Sequence, residues 1–423
     1  MTSTAQARCP YRIDPAGTDI HAEGVLLRAI APAARVILPG LPDAITTWSV
    51  TDPGLIRRLL THPDISKDAS QHWPALQTGQ VPDDWQEQVW VKVRNALGAY
   101  ADEHRRLRRP VAAAFSPRRV RALTPRIEAI THGLLDELED HRPDETIDLR
   151  DRFAGRLPLL VANLVLGVPE QWHDDFRDSI GDLLTTTLTP DEARAVQARV
   201  YELIGQLIEY KQQQPGDDIT TSLIASHRDG ELTSQELSDS LMLLIGAGHE
   251  TTVGLLSHGI VNLAVHRDQL ALAISEQVPW ETVVEEILRY QAPIATLLPR
   301  FPVREVTDET TGITFAQGDL IVINYAAAGR DPDIHGETAD RFDITRPSHE
   351  HLSFGHGVHL CPGAELARIE GRIALAALFE RFRDLHLAVE ASQLSPLPSY
   401  ISNGLRAVPA RLGRPDARPR GAR

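Results

Sequence analysis

The chain predicts a mainly α fold with small β-sheets, and three observations carry that expectation. From residue 102 to 300, apolar side chains recur at helical spacing with few interruptions. Runs of β-branched residues bounded by Pro, Gly or Asp are confined to the first sixty residues and to the part beyond 300. No internal repeat or linker-like stretch divides the 423 residues. One domain over 21–412 is therefore expected, with a flexible tail at 1–20 and a disordered Pro/Arg/Gly-rich tail at 413–423.

In chain order, Arg35-Val-Ile-Leu38 and Ala44-Ile-Thr-Thr-Trp-Ser-Val50 read as strands of a small sheet. Residues 70–98 mix Trp73, Trp85 and Trp90 with Pro and Gly and read as a long irregular loop with one short helix. Helices are expected near 104–114, 117–141, 150–166, 170–186, 190–213, 218–227, 233–265 and 279–291. The seventh starts on a capping box, Thr233 with Glu236. Its roughly 33 residues would extend about 50 Å, enough to cross a domain. Leu320-Ile-Val-Ile-Asn324 is strand-like, Gly363 to Phe382 reads as an amphipathic helix with Pro362 as its first residue, and 385–412 returns to strands and turns.

Composition excludes several classes. A net charge of −15 argues against nucleic acid as the main partner. No run approaches the roughly 18 apolar residues of a membrane span. Two cysteines exclude a disulfide framework and fit a reducing, cytoplasmic setting, and the first fifteen residues lack the pattern of a signal peptide. Cys9 falls in a polar stretch and reads as a surface thiol. Against the acidic background, His104 to Arg121 carries seven arginines and no acid. Such a patch can dock an acidic partner or simply form a solvated helix face.

Cys361 follows a glycine-rich turn and precedes a helix start. Unpaired N–H groups and the helix dipole there favour thiolate over thiol, and a lone thiolate in such a loop suits an axial ligand of haem iron. Gly355, Gly357 and Gly363 allow close approach of something flat. A buried, inert cysteine is the bland alternative. In the long helix, Gly246-Ala-Gly-His-Glu-Thr-Thr252 places two glycines where each costs about 1 kcal/mol. The Thr251 hydroxyl can bond a carbonyl one turn back, loosening the helix into a groove. Glu250 beside it supplies an acid and completes the minimal parts of a proton relay. Leu243, Ala247 and Thr251 share one helix face. Glu286 and Arg289 stand at i, i+3, in themselves a common surface pair. The histidines His349, His351, His356 and His359 fit no usual zinc spacing.

The pattern Phe354-x-x-Gly357-x-x-x-Cys361-x-Gly363 resembles the haem-binding loop of cytochrome P450. The Gly246–Thr252 segment is similar to that family's oxygen-activating helix, and Glu286-x-x-Arg289 followed by Asp340-Arg341-Phe342 looks like its structural network. The resemblance covers roughly residues 30–412 and points to a soluble, actinobacterial-type member; Gly329 stands where Asn is more usual. It implies a single-domain fold holding haem b (iron protoporphyrin IX) between the long helix and the cysteine-loop helix. Cys361 would ligate the metal; His104, Arg108, Arg300 and His359 would meet the haem propionates; Phe354, Gly357, Gly363, Ala247 and Gly248 would also contact the cofactor. Glu250 and Thr251 would be catalytic, and Glu286, Arg289 and Arg341 would form the network. Leu243, Ala247, Thr251, Val89, Ala295, Thr296, Leu297, Leu298 and Ile401 would line the substrate pocket. Arg105, Arg106 and Arg109 would dock a partner. The implied activity is dioxygen-dependent hydroxylation of a medium-sized hydrophobic molecule of steroid, polyketide or terpenoid type by a monomeric enzyme. Its electrons would come from a separate ferredoxin and NAD(P)H-dependent ferredoxin reductase. The alternatives are a non-catalytic haem-thiolate sensor and a peroxide-driven oxygenase.

Overall fold

The computed structural model describes residues 10–85, 87–180 and 188–415. Its longer helices are α1 (Ile20–Ile30), α2 (Pro53–Thr61), α3 (Ala101–Ala114), α4 (Thr124–Glu139), α5 (Arg156–Leu166), α6 (Pro190–Gln213), α7 (Ile219–Arg228), α8 (Ser234–Val265), α9 (Trp280–Tyr290) and α10 (Ala364–Arg381). The strands are β1 (Tyr11–Arg12), β2 (Ala33–Ile37), β3 (Thr47–Val50), β4 (Ile65–Ser66), β5 (Ile147–Asp148), β6 (Thr296–Pro302), β7 (Val306–Thr307), β8 (Thr314–Phe315), β9 (Leu320–Asn324), β10 (His386–Leu387) and β11 (Pro409–Arg411). Six of them form one sheet in the order β1-β2-β3-β9-β6-β4; β10-β11-β5 and β7-β8 form two smaller ones.

The helical middle matches the sequence expectation most closely where a cap fixes the start. Thr189 and Glu192 form a capping box ahead of Pro190, and Thr233 with Glu236 does the same for α8, so both helices begin at the signalled residue. Five expectations change. The loop expected over 70–98 carries three short helices, Ala69–His72, Pro74–Gln77 and Gln88–Val91. Residues 11–20 are not all tail, because Tyr11 and Arg12 pair with Val36 and Ile37. The first sixty residues also carry two helices, each started by an aspartate whose carboxylate accepts a backbone N–H: Asp19 for α1 and Asp52 for α2. The expected 117–141 helix divides at Leu123 into Pro117–Ala122 and α4, with Pro125 in the first turn of the second. The expected 150–166 helix opens with a π-turn, Arg150–Ala154, ahead of α5. The 170–186 helix is present as His173–Ile180; residues 181–187, like Cys9, lie outside the described residues.

The main core lies where α8, α9 and α10 meet α4 and α5. Leu255, Leu256, Ile260, Val283, Val284, Ile287, Ala374, Leu375 and Phe379 are all essentially inaccessible there. Helix α8 is apolar on nearly every side, as a helix enclosed by others must be. The core thus fixes α8 beside α10, the helix that continues from the cysteine loop.

Candidate functional site

Cys361 closes a tight loop: Gly355 N donates to Leu352 O at 2.7 Å, and Cys361 N to Phe354 O at 2.9 Å. Helix α10 begins only at Ala364, with Gly363 as N-cap. Pro362 therefore belongs to the turn and not to the first helical position. The delay leaves the N–H groups of Gly363 and Ala364 directed at Cys361 Sγ. Burial nevertheless pushes the thiol up, and those N–H groups with Arg108 and Arg368 pull it down without offsetting burial. The loop alone does not make the thiolate; a cation bound at sulfur would.

The loop and α8 share one cavity of about 290 Å³. In the middle of the otherwise enclosed α8, Ala247 and Gly248 are open to it. A Cβ built on Gly248 would project into open space, which suits a flat group lying against this face. Thr251 lines the same cavity, and its Oγ1 donates to Ala247 O at 2.7 Å; Thr252 Oγ1 donates to Gly248 O at 3.2 Å. The two hydroxyls bond back as the sequence suggests, and the helix runs unbroken through them. Glu250 differs. It is buried but does not line the cavity: Oε1 accepts from Arg150 Nη2 at 2.8 Å, and Oε2 has no hydrogen-bond partner. Burial raises this carboxyl and Arg150 draws it back. Arg150 opens the π-turn, a distortion that often marks function.

At one end of the cavity the four residues expected to meet propionates come together. Arg108, Arg300 and His359 line it, and the His104 and His359 rings lie 4.2 Å apart between centroids. His104 Nε2 and Tyr325 Oη are buried without partners. Arg108 also donates to Leu360 O, tying α3 to the cysteine loop. Burial depresses His359, and every charged group acting on it is cationic: Arg300, Lys67, His104 and Arg108. A cluster of this sign inside a protein calls for an anion, and the two carboxylates of haem answer that need. The residues present fit the group: a thiol, a helix face lacking a Cβ and a basic end that holds the unpartnered His104 Nε2. Phe354 lines the cavity and packs against the Arg368 guanidinium at 4.6 Å. Gly357 does not reach the cavity. Its φ is +71°, and a Cβ there would stand 2.7 Å from Leu60 O, so its smallness serves the packing of the loop on α2.

The network behind the loop needs a correction. Glu286 and Arg289 are fully buried and doubly bonded, at 2.7 and 2.8 Å, and Arg289 donates to the carbonyls of Gly329, Ala339 and Arg341. Arg341 contributes only that carbonyl; its side chain is exposed. The third arginine is Arg346, whose Nε is 3.6 Å from Glu286 Oε1 and whose Nη atoms serve His335 O and Thr338 O. Phe342, Ile344 and Arg346 point inward while Arg341, Thr345 and Pro347 point outward. The period-2 spacing of Phe342 and Ile344 was the available signal.

The basic patch is also less free than composition implies. Arg106 is half-buried and holds Glu103 and Glu236, which joins α3 to the start of α8. Arg105 and Arg109 are exposed, at 73% and 67% of the side chain, and pair with Asp102 and Glu231. The neutralising acids lie just upstream or far along the chain, outside the run of arginines.

Of the expected substrate wall, Leu243, Ala247, Thr251, Leu297 and Ile401 line the cavity, joined by Trp90, Leu97, Leu244 and Ile294. Ala295 and Thr296 do not. Ala295 is buried, with its N–H bonded to Ile401 O at 2.7 Å, and Thr296 pairs with Asn324. The side chains of Val89 and Leu298 lie outside the described residues. Further ties close this wall: Tyr400 Oη donates to Glu87 Oε1 at 2.6 Å, and Asn403 N to Pro293 O at 2.8 Å. Sequence reasoning missed Tyr325, Arg150 and Arg346, each of which gains its role only from distant chain.

A family model, "Cytochrome P450", matches residues 280–399. The 2-hydroxy-5-methyl-1-naphthoate 7-hydroxylase of Streptomyces carzinostaticus is 37% identical over 405 residues, 96% of this chain and 98% of its own. The 6-deoxyerythronolide B hydroxylase of Saccharopolyspora erythraea is 36% identical over 392 residues, 91% and 94% of the two chains. Among solved structures, CYP154A1 from Streptomyces coelicolor A3(2) is 46% identical, covers 95% of this chain and 100% of its own, and superposes with a TM-score of 0.89. With this likeness spanning nearly the whole chain, and a thiol, a hydroxyl-bearing helix face and a basic cluster meeting at one cavity, the chain belongs to the cytochrome P450 family and is a haem-dependent monooxygenase.

Proposed function

We propose that this monooxygenase hydroxylates a medium-sized hydrophobic substrate of polyketide, steroid or terpenoid type. Its electrons would come from a separate ferredoxin and an NAD(P)H-dependent ferredoxin reductase. One observation carries the reading: a single cavity is bounded by Cys361 from the loop and by Ala247, Gly248 and Thr251 from α8. When bound, haem supplies the activation of dioxygen. Cys361 would hold its iron, and His104, Arg108, Arg300 and His359 would hold its carboxylates. The Glu286–Arg289–Arg346 network keeps the loop in place. The hydroxyl of Thr251 holds a proton at the cavity face, and Glu250 stands behind it as an acid paired with Arg150. Trp90, Leu97, Leu244, Ile294, Leu297 and Ile401 make the rest of the wall apolar and exclude water from the substrate. The relatives' names, a naphthoate hydroxylase and a 6-deoxyerythronolide B hydroxylase, support a polyketide-like class. Arg105 and Arg109, exposed on the helix that Arg108 ties to the cysteine loop, would meet an acidic ferredoxin.

The test is Cys361→Ala. The reduced, carbon-monoxide-bound wild-type protein should show the red-shifted absorption band of thiolate ligation, and the variant should lack it. A variant that keeps both band and product formation would remove the reading.

A further inference from the structure

Helix α8 is enclosed on nearly every side, yet its second turn carries a buried acid, Asp239, 2% exposed. An acid at such a place is a cost to the fold unless donors reach it from elsewhere. Here they come from three parts of the chain. Oδ2 accepts the backbone N–H of Arg94 at 2.7 Å, and Oδ1 accepts the phenol of Tyr201 at 2.6 Å and the amide of Gln235 at 2.7 Å. Asn95, also 2% exposed, donates to Asp239 O at 3.3 Å. The Asn95 Oδ1 in turn accepts the N–H groups of Leu97 and Gly98 at 3.0 and 3.3 Å. Tyr201 belongs to α6. Ala96 and Leu97 line the cavity, as does Leu243, one turn beyond Asp239 on α8. Residues 92–98 form neither helix nor strand, so the bonds to Asp239 and Asn95 stand in for the ladder that would otherwise fix this wall.

We propose that Asp239 is a positioning residue for substrate selection: its carboxylate ties the cavity-lining pair Ala96–Leu97 to α8 and, through Tyr201, to α6. The inference rests on the monooxygenase reading above for what fills the cavity; the hydrogen-bonded joint itself does not depend on it. Side chains on irregular backbone are placed only as well as the bonds behind them hold that backbone. Closing the open N–H groups of the 94–98 stretch would need Asp239 and Asn95 alone. The Tyr201 phenol, 38 positions before Asp239 and on a different helix, extends the joint beyond that need. Arg94 N–H and Tyr201 O–H meet the two oxygens of one planar group, so a displacement of α6 turns the carboxylate and is passed to the backbone that carries Leu97. The room available between Leu97 and Leu243 then follows the position of α6.

The test uses Tyr201→Phe, which cuts only the α6 side of the joint, and Asp239→Leu, which cuts both sides. Two azoles that bind ferric haem through a ring nitrogen are titrated by the shift of the haem absorption band. One is imidazole; the other is 4-phenylimidazole, whose phenyl ring must find room against the apolar wall. In both variants the dissociation constant for imidazole should stay within about twofold of wild type. That for 4-phenylimidazole should rise by about threefold in Tyr201→Phe and by about tenfold in Asp239→Leu, one bond lost against the whole joint. Hydrogen exchange of the Arg94 amide should quicken in Tyr201→Phe, although the substituted side chain lies on α6. A wild-type ratio of the two constants in Tyr201→Phe, or an Arg94 amide exchanging there at the wild-type rate, overturns the proposal. Equal weakening of both azoles in Asp239→Leu, with loss of haem, would assign the acid to the fold and overturn it as well. Should Asp239→Leu fail to fold, Tyr201→Phe alone decides. A wild-type protein whose haem band imidazole does not move would instead overturn the haem reading, and the exchange measurement would still judge the joint.

Discussion

Replacing Arg346 by Met removes the donor for one buried carbonyl while leaving the Glu286–Arg289 pair intact. Arg346 Nη1 serves His335 O at 3.1 Å; of the two carbonyls that Nη2 reaches, Thr338 O keeps the Arg341 N–H and Arg341 O keeps Arg289. A buried acceptor left unmade costs about 1–3 kcal/mol. The added ion-pair term is small, because the Nε to Glu286 separation is 3.6 Å and His349 Nδ1 already sits 3.1 Å from Glu286 Oε2. At roughly 2 °C per kcal/mol for a chain of this size, a mid-range loss lowers Tm by about 4 °C. The assay is thermal unfolding of the holoenzyme followed by circular dichroism and by loss of the haem absorption. Arg341→Met is the control, since an exposed side chain that makes no bond should change stability by no more than about 0.5 kcal/mol. Equal Tm values for the two variants, or a larger fall for Arg341→Met, would refute the assignment of Arg346 to the network.

Gly357→Ala should destabilise the loop by about 2–4 kcal/mol, from the positive φ and the 2.7 Å approach to a backbone carbonyl, and haem retention should weaken with it. Glu285 would be raised by burial, but bonds to His351 and Arg368 hold it down at about 2, below its ordinary 4.5. Its contribution is therefore complete above about pH 4.5 and is lost as pH falls toward 2, so the urea midpoint of wild type should approach that of Glu285→Gln on acidification. A gap that widens in acid would contradict the pairing. The double variant Arg105→Glu/Arg109→Glu should slow ferredoxin-supported turnover and flatten its salt dependence while leaving peroxide-driven turnover intact. Equal loss in both assays would assign these arginines to structure.

What the sequence made legible was whatever local chemistry encodes. The starts of α6 and α8 were readable because a capping box is a four-residue signal. The cysteine loop and the Gly246–Thr252 segment were readable because their residue types are unusual at that spacing. Helices α1 and α2 were overlooked because an Asp that ends a strand-like run and an Asp that caps a helix look alike until the chain beyond is placed. Glu231, which pairs with Arg109, and Glu236, which pairs with Arg106, are 122 and 130 positions away in sequence, beyond any local window. Arg341 was favoured over Arg346 because motif spacing says nothing about which face of an extended segment turns inward. Glu250 adjoins Thr251 in sequence, but side chains adjacent on a helix diverge by about 100°, and of the two Thr251 lines the cavity while Glu250 does not.

The ties from Glu87 to Tyr400, from Ala295 to Ile401 and from Asn403 to Pro293 have a consequence for how the enzyme is made. They bring together three stretches separated by some two hundred and one hundred residues, and the last of them follows α10 in sequence. A ribosome that has delivered α8, the cysteine loop and α10 has delivered the iron-binding parts, but the substrate side of the pocket still lacks the turn at 399–403. Nascent chains therefore acquire the means to hold the cofactor before the means to discriminate among substrates. Chains released early, without that turn, would be expected to carry haem in a pocket open on one side.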